Sequence, residues 1–319
     1  MSIRPNTAAK QGILAALFAL GVAWPTAWAA APPAAPPGGS PRRLCSTPPA
    51  PVNFFLSSEA DTVSLLPSPP SLDAAAQSAD LQGVLASQAL ARKAGTVQRA
   101  IDDSEMNCAR FKDVLGIELK SKAVAAALKV VNEGAGSAVD AANPTKKYWK
   151  RARPYIVSKE VEALADVAPD GEMATTEYAK DCDPDPPAKD AAEAEKRAAK
   201  KAKDRFEKDY TSYPSGHAAF GMACGILLSQ MIPEKRAELM ERARQYGESR
   251  LIVGAHFPSD VQQGQVAGTM GVLLNMQNAR YQRLFYGAQA EMRVALGYPA
   301  KVPDLEPNKD FFKEAAPKR

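Results

Sequence analysis

"YPSGHAAFGMACGILLSQMI", residues 213–232, combines a helix-start signal with a long apolar run. Pro-Ser-Gly ahead of such a run is a good helix start, and Ser215 is the candidate N-cap. The stretch therefore predicts a helix over 215–232. The backbone N–H groups at its start, together with the positive end of the helix dipole, favour an anion. Gly216 would let an oxyanion approach the backbone closely, because it has no Cβ.

The rest of the globular chain also has helical periodicity. Apolar residues recur at helical spacing, and runs of β-branched residues at period two are absent, which disfavours a sheet. One apolar stripe of this kind contains Val124, Leu128, Val131 and Ala135. We therefore predict an all-α helical bundle. Further helices are expected over 72–92, 96–106, 122–142, 233–253 and 259–286.

The first residues of the chain are typical of a cleaved secretory signal, with a retained N-terminal anchor as the alternative. Arg4 and Lys10 accompany an apolar run at 12–24, and Ala27-Trp28-Ala29 supplies a small-x-small cleavage site. No later stretch approaches ~20 apolar residues, so we expect a periplasmic or secreted protein without a membrane span after signal cleavage. The predicted organisation is a signal peptide at 1–29, a Pro/Ala-rich tether at 30–60, and a single helical domain at 61–319 with a charged insertion at about 184–208.

Charge patterning argues against nucleic acid as a specific partner. The formal charge of +4 is mild, and no basic block alternates with aromatic residues. Residues 189–208 are charged almost all round, which predicts an exposed helix or a mobile insertion supported by pairs such as Glu193–Arg197. The acidic stretch 181–185 lacks the glycine and the distal glutamate of an EF-hand loop, so calcium is not expected there.

Four cysteines, Cys45, Cys108, Cys182 and Cys224, permit up to two disulfides in three pairings in an exported chain. Cys108–Cys182 is weakly preferred. Cys224 lies in an apolar helical run and fits a buried free thiol equally well. The spacing resembles no zinc ribbon, and with two histidines in the whole chain a Cys/His metal site is not expected.

Three short segments share one chemical theme, the binding of an anion. They are "KKYWKRARPY" at 146–155, "YPSGH" at 213–217 and "SRLIVGAHFPSD" at 249–260. Phosphoryl transfer needs cations and N–H donors around the phosphate oxygens, with the attacking and leaving atoms held in line.

The first segment has five cationic residues in eight positions. Lys146 and Arg153 are seven residues apart, or two helical turns, so they can share a face. Arginine suits bidentate contact with phosphate, and lysine acts as a point charge. Lys147, Lys150 and Arg151 are expected on a solvated basic face.

The third segment pairs His256 with Asp260, four residues later, and Pro258 between them is expected to begin a new helix. A carboxylate in the first turn of that helix can accept a hydrogen bond from Nδ1–H and leave Nε2 unprotonated. This is the base–orienter arrangement of nucleophilic catalysis, here with histidine itself as the nucleophile. Arg250 could add charge to the same cavity, and a purely structural His–Asp pair is the alternative.

Taken in order, the three segments resemble the signature of the phosphatidic acid phosphatase type 2 and vanadium haloperoxidase superfamily. That signature is Lys, six residues, Arg-Pro; then Pro-Ser-Gly-His; then Ser-Arg, five residues, His, three residues, Asp. From about residue 65 to residue 298 the chain also resembles the bacterial class A non-specific acid phosphatases, with "RARPY", "YGESR" and "HFPSDV". The resemblance implies the helical bundle of that superfamily.

The resemblance also implies roles for individual residues. His256 attacks phosphorus to form a phosphohistidine, Asp260 orients His256, and His217 protonates the leaving alkoxide before water hydrolyses the intermediate. The implied substrates are small phosphate monoesters of broad range, with no metal or other cofactor, and a homo-oligomer is left open. The groups implied to hold the phosphate oxygens are Lys146, Arg153, Ser215, the Gly216 N–H and Arg250.

The chain departs from the class A pattern in several places. Thr211 and Ala218 replace the Gly and Thr at the two ends of the Gly-Ser-Tyr-Pro-Ser-Gly-His-Thr signature, and Val253 replaces a Cys found in many relatives. The relatives' disulfide pattern therefore cannot be copied. The connection between the Arg-Pro and Pro-Ser-Gly-His motifs, residues 155 to 213, contains 59 residues and is longer than usual. Alternative functions are a soluble lipid phosphate or nucleotide/pyrophosphate phosphatase and, further removed, a vanadium-dependent haloperoxidase.

Overall fold

The computed structural model describes residues 53–116, 121–164, 190–193, 195–196 and 209–302. Throughout these ranges the regular structure is helical and no strand occurs, which confirms the all-α prediction. The α-helices are α1 Thr62–Leu65, α2 Ala75–Ala94, α3 Val97–Asp102, α4 Lys112–Leu115, α5 Lys122–Val139, α6 Asn143–Trp149, α7 Pro154–Val157, α8 Gly216–Met231, α9 Arg236–Ile252, α10 Pro258–Asn275 and α11 Ala279–Ala295. Short 3-10 turns lie at Ser57–Ala60, Cys108–Phe111, Asp140–Ala142 and Pro233–Lys235.

Helix α8 is the centre of the bundle. It packs against α5, α9 and α10, and α5 also packs against α10 and α11. A helix that is apolar all round is expected to be buried, and α8 is lined on every side by buried residues such as Phe220, Leu227 and Met231. The predicted apolar stripe of α5, which includes Val124 and Val131, lies in the same core.

Close backbone packing brings the starts of α8 and α10 together. A Cβ on Gly264 of α10 would lie 2.3 Å from the carbonyl oxygen of Ser215, and one on Gly268 would lie 2.2 Å from that of Ala219. Any side chain at these positions would push α10 away from α8. The two glycines therefore fix the distance between the Pro-Ser-Gly-His turn and the helix that carries Asp260.

The predicted single helix over 259–286 is wrong, because the chain turns between α10 and α11. Asn278 caps α11 with its side-chain oxygen, which accepts from the backbone N–H groups of Arg280 and Tyr281 at 3.0 and 3.1 Å. Its Nδ2 donates to the carbonyl of Phe54 at 3.0 Å. The turn directs Tyr281 back into the core beside α5, and apolar periodicity alone does not show such a break.

Other helix boundaries differ less from the prediction. The helix predicted over 96–106 is α3, which ends at Asp102. The predicted helices at 122–142 and 233–253 are each an α-helix joined to a short 3-10 turn. Ser215 is the N-cap of α8 and Pro258 the first residue of α10, as predicted.

Cys108 and Cys224 form a disulfide, with Cα atoms 5.5 Å apart and both residues fully buried. The weakly preferred Cys108–Cys182 bond and the free thiol at Cys224 are therefore wrong. The reason is tertiary: the 3-10 turn that begins at Cys108 packs against both α5 and α8, which places it beside a residue 116 positions later.

Several predicted features lie outside the described residues. They are the signal peptide at 1–29, the tether up to residue 52, Cys45, Cys182, the acidic stretch at 181–185, Arg197 and most of the charged insertion. Within that insertion, residues 191–193 and 195–196 are helical and mostly exposed. Among the helices of the described ranges, none has the length and apolar character needed to cross a membrane.

Candidate active site

The turn between α9 and α10 holds His256 in the interior, where it is 1% exposed. Gly254 adopts φ +73, a left-handed conformation that favours glycine, and a Cβ there would lie 2.3 Å from the carbonyl oxygen of Glu162. The backbone N–H groups of Ala255 and His256 return to the Arg250 carbonyl at 3.0 and 3.3 Å. The backbone leading to His256 is therefore held both by the close packing of Gly254 against Glu162 and by the hydrogen bonds to Arg250.

The imidazole of His256 has one tautomer imposed on it. Its Nδ1 lies 2.7 Å from the carbonyl oxygen of Ser212, and because a carbonyl can only accept, Nδ1 carries the proton. In the neutral ring Nε2 then has the lone pair, and it lies 3.3 Å from Nη1 of Arg153. The predicted hydrogen bond to Asp260 is not formed, since Nδ1 and Oδ2 are 3.7 Å apart.

Asp260 acts on the surroundings of His256 instead. Its Oδ2 accepts from Ser212 Oγ at 2.5 Å and from the backbone N–H of Phe257 at 2.8 Å. Phe257 is the next residue after His256, and Ser212 supplies the carbonyl that holds Nδ1. Asp260, fully buried in the first turn of α10, therefore fixes the parts of the chain on which the orientation of His256 depends.

Arg151 is buried, which corrects the prediction of a solvated position. Its Nη1 donates to Asp260 Oδ1 at 2.5 Å and to Ser259 Oγ at 2.8 Å. Its Nη2 donates to Gln77 Oε1 at 2.5 Å and to Asp80 Oδ2 at 2.8 Å. Lys147 and Lys150, the other two members of the predicted solvated face, are exposed. Distant acidic partners, which no local pattern shows, draw Arg151 inward.

Lys146 and Arg153 reach the site by a different geometry from the one predicted. Helix α6 ends at Trp149 and Arg153 has extended backbone (φ −75, ψ 158), so the two do not share a helical face. Lys146 Nζ donates to the Thr211 carbonyl at 2.8 Å. Arg153 Nη1 donates to the Ala255 carbonyl at 2.9 Å.

Positive charge dominates the electrostatics around His256. Burial and the nearby cations Arg153, Lys146 and Arg250, with His217, hold the pKa of His256 well below its ordinary value, which favours the neutral ring. Desolvation of the Lys146 ammonium and the charge of Arg153 lower the pKa of Lys146 from 10.5 to about 7. Such a cationic pocket favours an anionic ligand.

His217 lies in the first turn of α8 and is half-buried. Its Nε2 is 3.0 Å from the carbonyl oxygen of Ser104, to which it donates. Ser104 Oγ in turn accepts from Arg250 Nη1 at 2.7 Å. Ser104 thus joins two predicted site residues, and its sequence surroundings, "DDSEM" at 102–106, contain no motif that predicts this role.

The residue before Ser104, Asp103, anchors this loop through a buried ion pair. Asp103 accepts from Arg242 Nη1 and Nη2 at 3.0 and 2.5 Å, and from Ser249 Oγ at 2.7 Å. Ser249, the serine before Arg250 in the sequence motif, thus supports the loop from α9. The side chain that follows it, Arg250, is the one that reaches towards the site.

The start of α8 lies beside Lys146 and Asp260. Ser215 Oγ accepts from the backbone N–H of Ala218 at 3.2 Å, and its own backbone N–H donates to the Asp260 carbonyl at 2.9 Å. A Cβ on Gly216 would make only ordinary contacts, the nearest with Val139 and with Lys146 Cε at 3.7 Å. The N–H of Gly216, at the first position of the helix, has no intrahelical acceptor and is suited to an anion.

Every site residue identified in the sequence therefore lies in one region, joined by the contacts above. Within the ranges that the structure describes, no three His, Cys, Asp or Glu side chains are arranged to hold a metal ion. The arrangement can bind an oxyanion beside the imidazole of His256, and the imidazole of His217 lies in the same region with its Nε2–H bound to the Ser104 carbonyl.

Fold and site together define a protein whose described part is helical, with a buried histidine among several cations. The chain belongs to the PAP2 superfamily, whose family model matches residues 125–284. That match covers half of the chain and contains all the site residues from Lys146 to Asp260. It confirms the family on which the resemblance rested.

Short segments are also similar to curated proteins. A non-specific acid phosphatase of Salmonella typhimurium is 46% identical over 59 residues, which are 18% of this chain and 24% of that protein. A non-specific acid phosphatase of Providencia stuartii is 34% identical over 91 residues, 28% of this chain and 36% of that protein. An acid phosphatase of Zymomonas mobilis is 33% identical over 84 residues, 26% of this chain and 32% of that protein. The matches span between about a quarter and about a third of these relatives.

Proposed function

We propose that the chain is an exported acid phosphatase that hydrolyses small phosphate monoesters through a phosphohistidine intermediate. The observation that carries the proposal is the fixed tautomer of His256. Its Nδ1–H is bound to a carbonyl, and its Nε2 is directed to the guanidinium edge of Arg153. Relatives described as acid phosphatases support the same conclusion.

In the proposed first step, the lone pair of His256 Nε2 attacks phosphorus while the bond from phosphorus to the ester oxygen breaks. His217, acting in its doubly protonated form, transfers a proton to the departing oxygen and becomes neutral, so an alcohol leaves and phosphohistidine remains. In the second step, water attacks phosphorus and gives its proton to His217. The P–N bond breaks, inorganic phosphate leaves, and both histidines return to their starting states.

The remaining site groups bind the phosphate oxygens. Lys146, Arg153 and Arg250 supply positive charge, and the Ser215 hydroxyl with the Gly216 N–H supplies neutral donors. Such preorganised donors stabilise the transition state more than they stabilise the same charge in water. Each of these groups acts on the phosphate, which all monoesters share, and for that reason we expect a broad substrate range.

Activity in acid follows from the two shifted pKa values. His256 must be neutral to attack, and its lowered pKa favours the neutral ring. Lys146 must be charged to bind phosphate, and its pKa of about 7 keeps it charged below neutrality. Export to the periplasm or beyond is proposed from the predicted signal peptide at 1–29.

Trapping of the phosphoenzyme tests the nucleophile. Wild-type protein mixed with excess p-nitrophenyl phosphate and quenched in alkali, where phosphohistidine survives, should show one phosphate on the peptide that contains His256. His256→Ala should show no phosphate and no turnover. Turnover that survives in this variant, when it is correctly folded, would contradict the nucleophile assignment.

Leaving-group dependence tests the general acid. His217→Ala should reduce kcat for alkyl phosphates by about 10²- to 10⁴-fold, the usual contribution of general acid catalysis. It should affect p-nitrophenyl phosphate much less, because that leaving group needs little protonation. Equal losses on both substrates would argue against proton donation by His217.

A further inference from the structure

The guanidinium of Arg151 lies at a junction that the proposed reaction does not use directly. It is 7% exposed and donates to Asp80, Gln77, Ser259 and Asp260. Its guanidinium carbon also lies 4.2 Å above the centre of the Phe257 ring. A buried charge with this many partners is held in one position, and Phe257 is the neighbour of His256.

Arg151 belongs to a closed ring of contacts behind His256. Its backbone carbonyl accepts from the Ser212 N–H at 3.0 Å, and its side chain binds Asp260 Oδ1 at 2.5 Å. Asp260 Oδ2 closes the ring by accepting from Ser212 Oγ at 2.5 Å. The carbonyl of Ser212 then extends out of the ring to His256 Nδ1.

The position of Arg151 in the chain explains how one segment serves both sides of the imidazole. Arg151 and Arg153 are two residues apart in a non-helical stretch. Arg153 meets His256 on the Nε2 side, while Arg151 meets Asp260 behind the ring.

We propose that Arg151 is a positioning residue, which holds Asp260 on Ser212 and away from His256, so that the nucleophile is oriented through the Ser212 carbonyl. This inference rests on the proposed phosphatase function. It assigns a role to a cation that lies between the two phosphate-binding positions of the first motif. Without Arg151, the Asp260 carboxylate has lost its cationic partner and can move the short distance to Nδ1.

Movement of Asp260 would change the charge state of His256. The charged or titratable groups around the imidazole are Lys146 from α6, Arg151 and Arg153 from the segment after α6, His217 from α8, Arg250 from α9 and Asp260 from α10. Only Asp260 among them is anionic. An unpaired carboxylate within reach favours the protonated ring, typically by about 1–3 pKa units. A protonated His256 cannot attack phosphorus.

The chain contains only two histidines, so nitrogen NMR of the imidazoles can follow His256 directly, with His217→Ala to assign the signals. In wild type we expect His256 to stay neutral, with the proton on Nδ1, throughout mild acid. In Arg151→Met the titration should move up by about 1–3 pH units. At about pH 5, kcat/KM should fall by about 10- to 100-fold, as expected for a misplaced catalytic group.

The controls separate positioning from stability. Arg293→Met removes a second buried guanidinium, which is bound to Glu234 and lies 5.5 Å from the Tyr298 ring centre. It should lower the melting temperature without moving the His256 titration. Arg151→Lys keeps the positive charge. Compared with Arg151→Met, it should bring the pH of the His256 titration and the value of kcat part of the way back to those of wild type, with a smaller change in KM.

A folded Arg151→Met protein whose His256 titrates as in wild type would overturn the proposal. Should that variant fail to fold, Ser212→Ala decides the question, because it cuts the hydroxyl bond to Asp260 and leaves the ion pair. An unchanged His256 titration together with unchanged kcat in Ser212→Ala would also overturn it. The NMR measurement needs no turnover, so it tests Arg151 even if the wild-type chain hydrolyses no phosphate monoester.

Discussion

Replacement of Lys146 by methionine should remove a component of activity that depends on pH. The ammonium of Lys146 donates to the Thr211 carbonyl at 2.8 Å. Desolvation of the ammonium and the charge of Arg153 lower its pKa from 10.5 to about 7, against an opposite effect of Asp260. The positive charge of Lys146 is therefore present below about pH 7 and is lost above it. Methionine keeps a similar length and cannot titrate.

The expected magnitude follows from the charged fraction. Loss of one preorganised donor to a reacting oxyanion costs about 10²- to 10³-fold in rate, so wild type should exceed Lys146→Met by about that factor at low pH. From about pH 7 upward the charged fraction falls tenfold with each pH unit. The ratio of the two kcat/KM values should fall with it and approach one.

The assay is kcat/KM for p-nitrophenyl phosphate in both proteins, from about pH 4 to about pH 9. Ionisation of the substrate is common to both proteins, so it cancels in their ratio. Lys235→Met is the matched control, because the Lys235 ammonium also donates to a backbone carbonyl, that of Val114 at 2.6 Å, in a contact that involves no site residue. A wild-type to Lys146→Met ratio that does not change between mild acid and alkali would refute the reasoning.

The free energy of unfolding should depend on pH in the sense opposite to activity, because it should rise as the pH rises. The folded state holds Lys146 with a pKa of about 7 instead of 10.5, so between these values the unfolded chain binds more protons. The free energy of unfolding of wild type therefore gains from rising pH across that window. Lys146→Met lacks this contribution. Its gain in melting temperature over wild type should be largest below about pH 7 and should shrink as the pH approaches 10.5.

Two further predictions concern the scaffold. Gly268→Ala places a Cβ 2.2 Å from the Ala219 carbonyl oxygen and should lower the free energy of unfolding by about 1–3 kcal/mol in urea titrations. Gly287→Ala, where a Cβ meets nothing within 4 Å, should raise it by about 0.5–1 kcal/mol; equal effects of the two would contradict the packing argument. Joint replacement of Cys108 and Cys224 by alanine should cost about 2–5 kcal/mol in the same titration, and an unchanged midpoint would contradict the disulfide.

Local signals in the sequence predicted the starts of the two helices that carry the site. Ser215 caps α8 and Pro258 begins α10, because N-capping and a proline at the first position depend on only a few neighbouring residues. The apolar stripe of α5 was equally predictable. The division of 259–286 was not, since the turn at Asn278 depends on a contact with Phe54, more than two hundred residues earlier in the chain.

The candidate site, like the fold, was predictable from the sequence only in part. Residue types and spacing identified His256, His217 and the three cations that surround them. They did not identify the acceptor for Nδ1 of His256, because that acceptor is the carbonyl of Ser212 and every residue has a carbonyl. They also placed Arg151 on a solvated face, because the partners that bury it, such as Asp80, lie on a distant helix.

The buried carboxylate and the anion site impose opposite electrostatic demands on the pocket. A phosphate needs a positive environment, yet Asp260 is fully buried a few ångströms from His256. Arg151 reconciles the two, since it pairs Asp260 from behind while Arg153 faces the other side of His256. A buried ion pair also costs desolvation, which hydrogen bonds from Ser212 and the Phe257 N–H offset. The Asp260 carboxylate can therefore orient Ser212 and the backbone of Phe257, on which the position of the imidazole depends. The Nε2 side of His256 meanwhile keeps the positive field that a phosphate dianion requires.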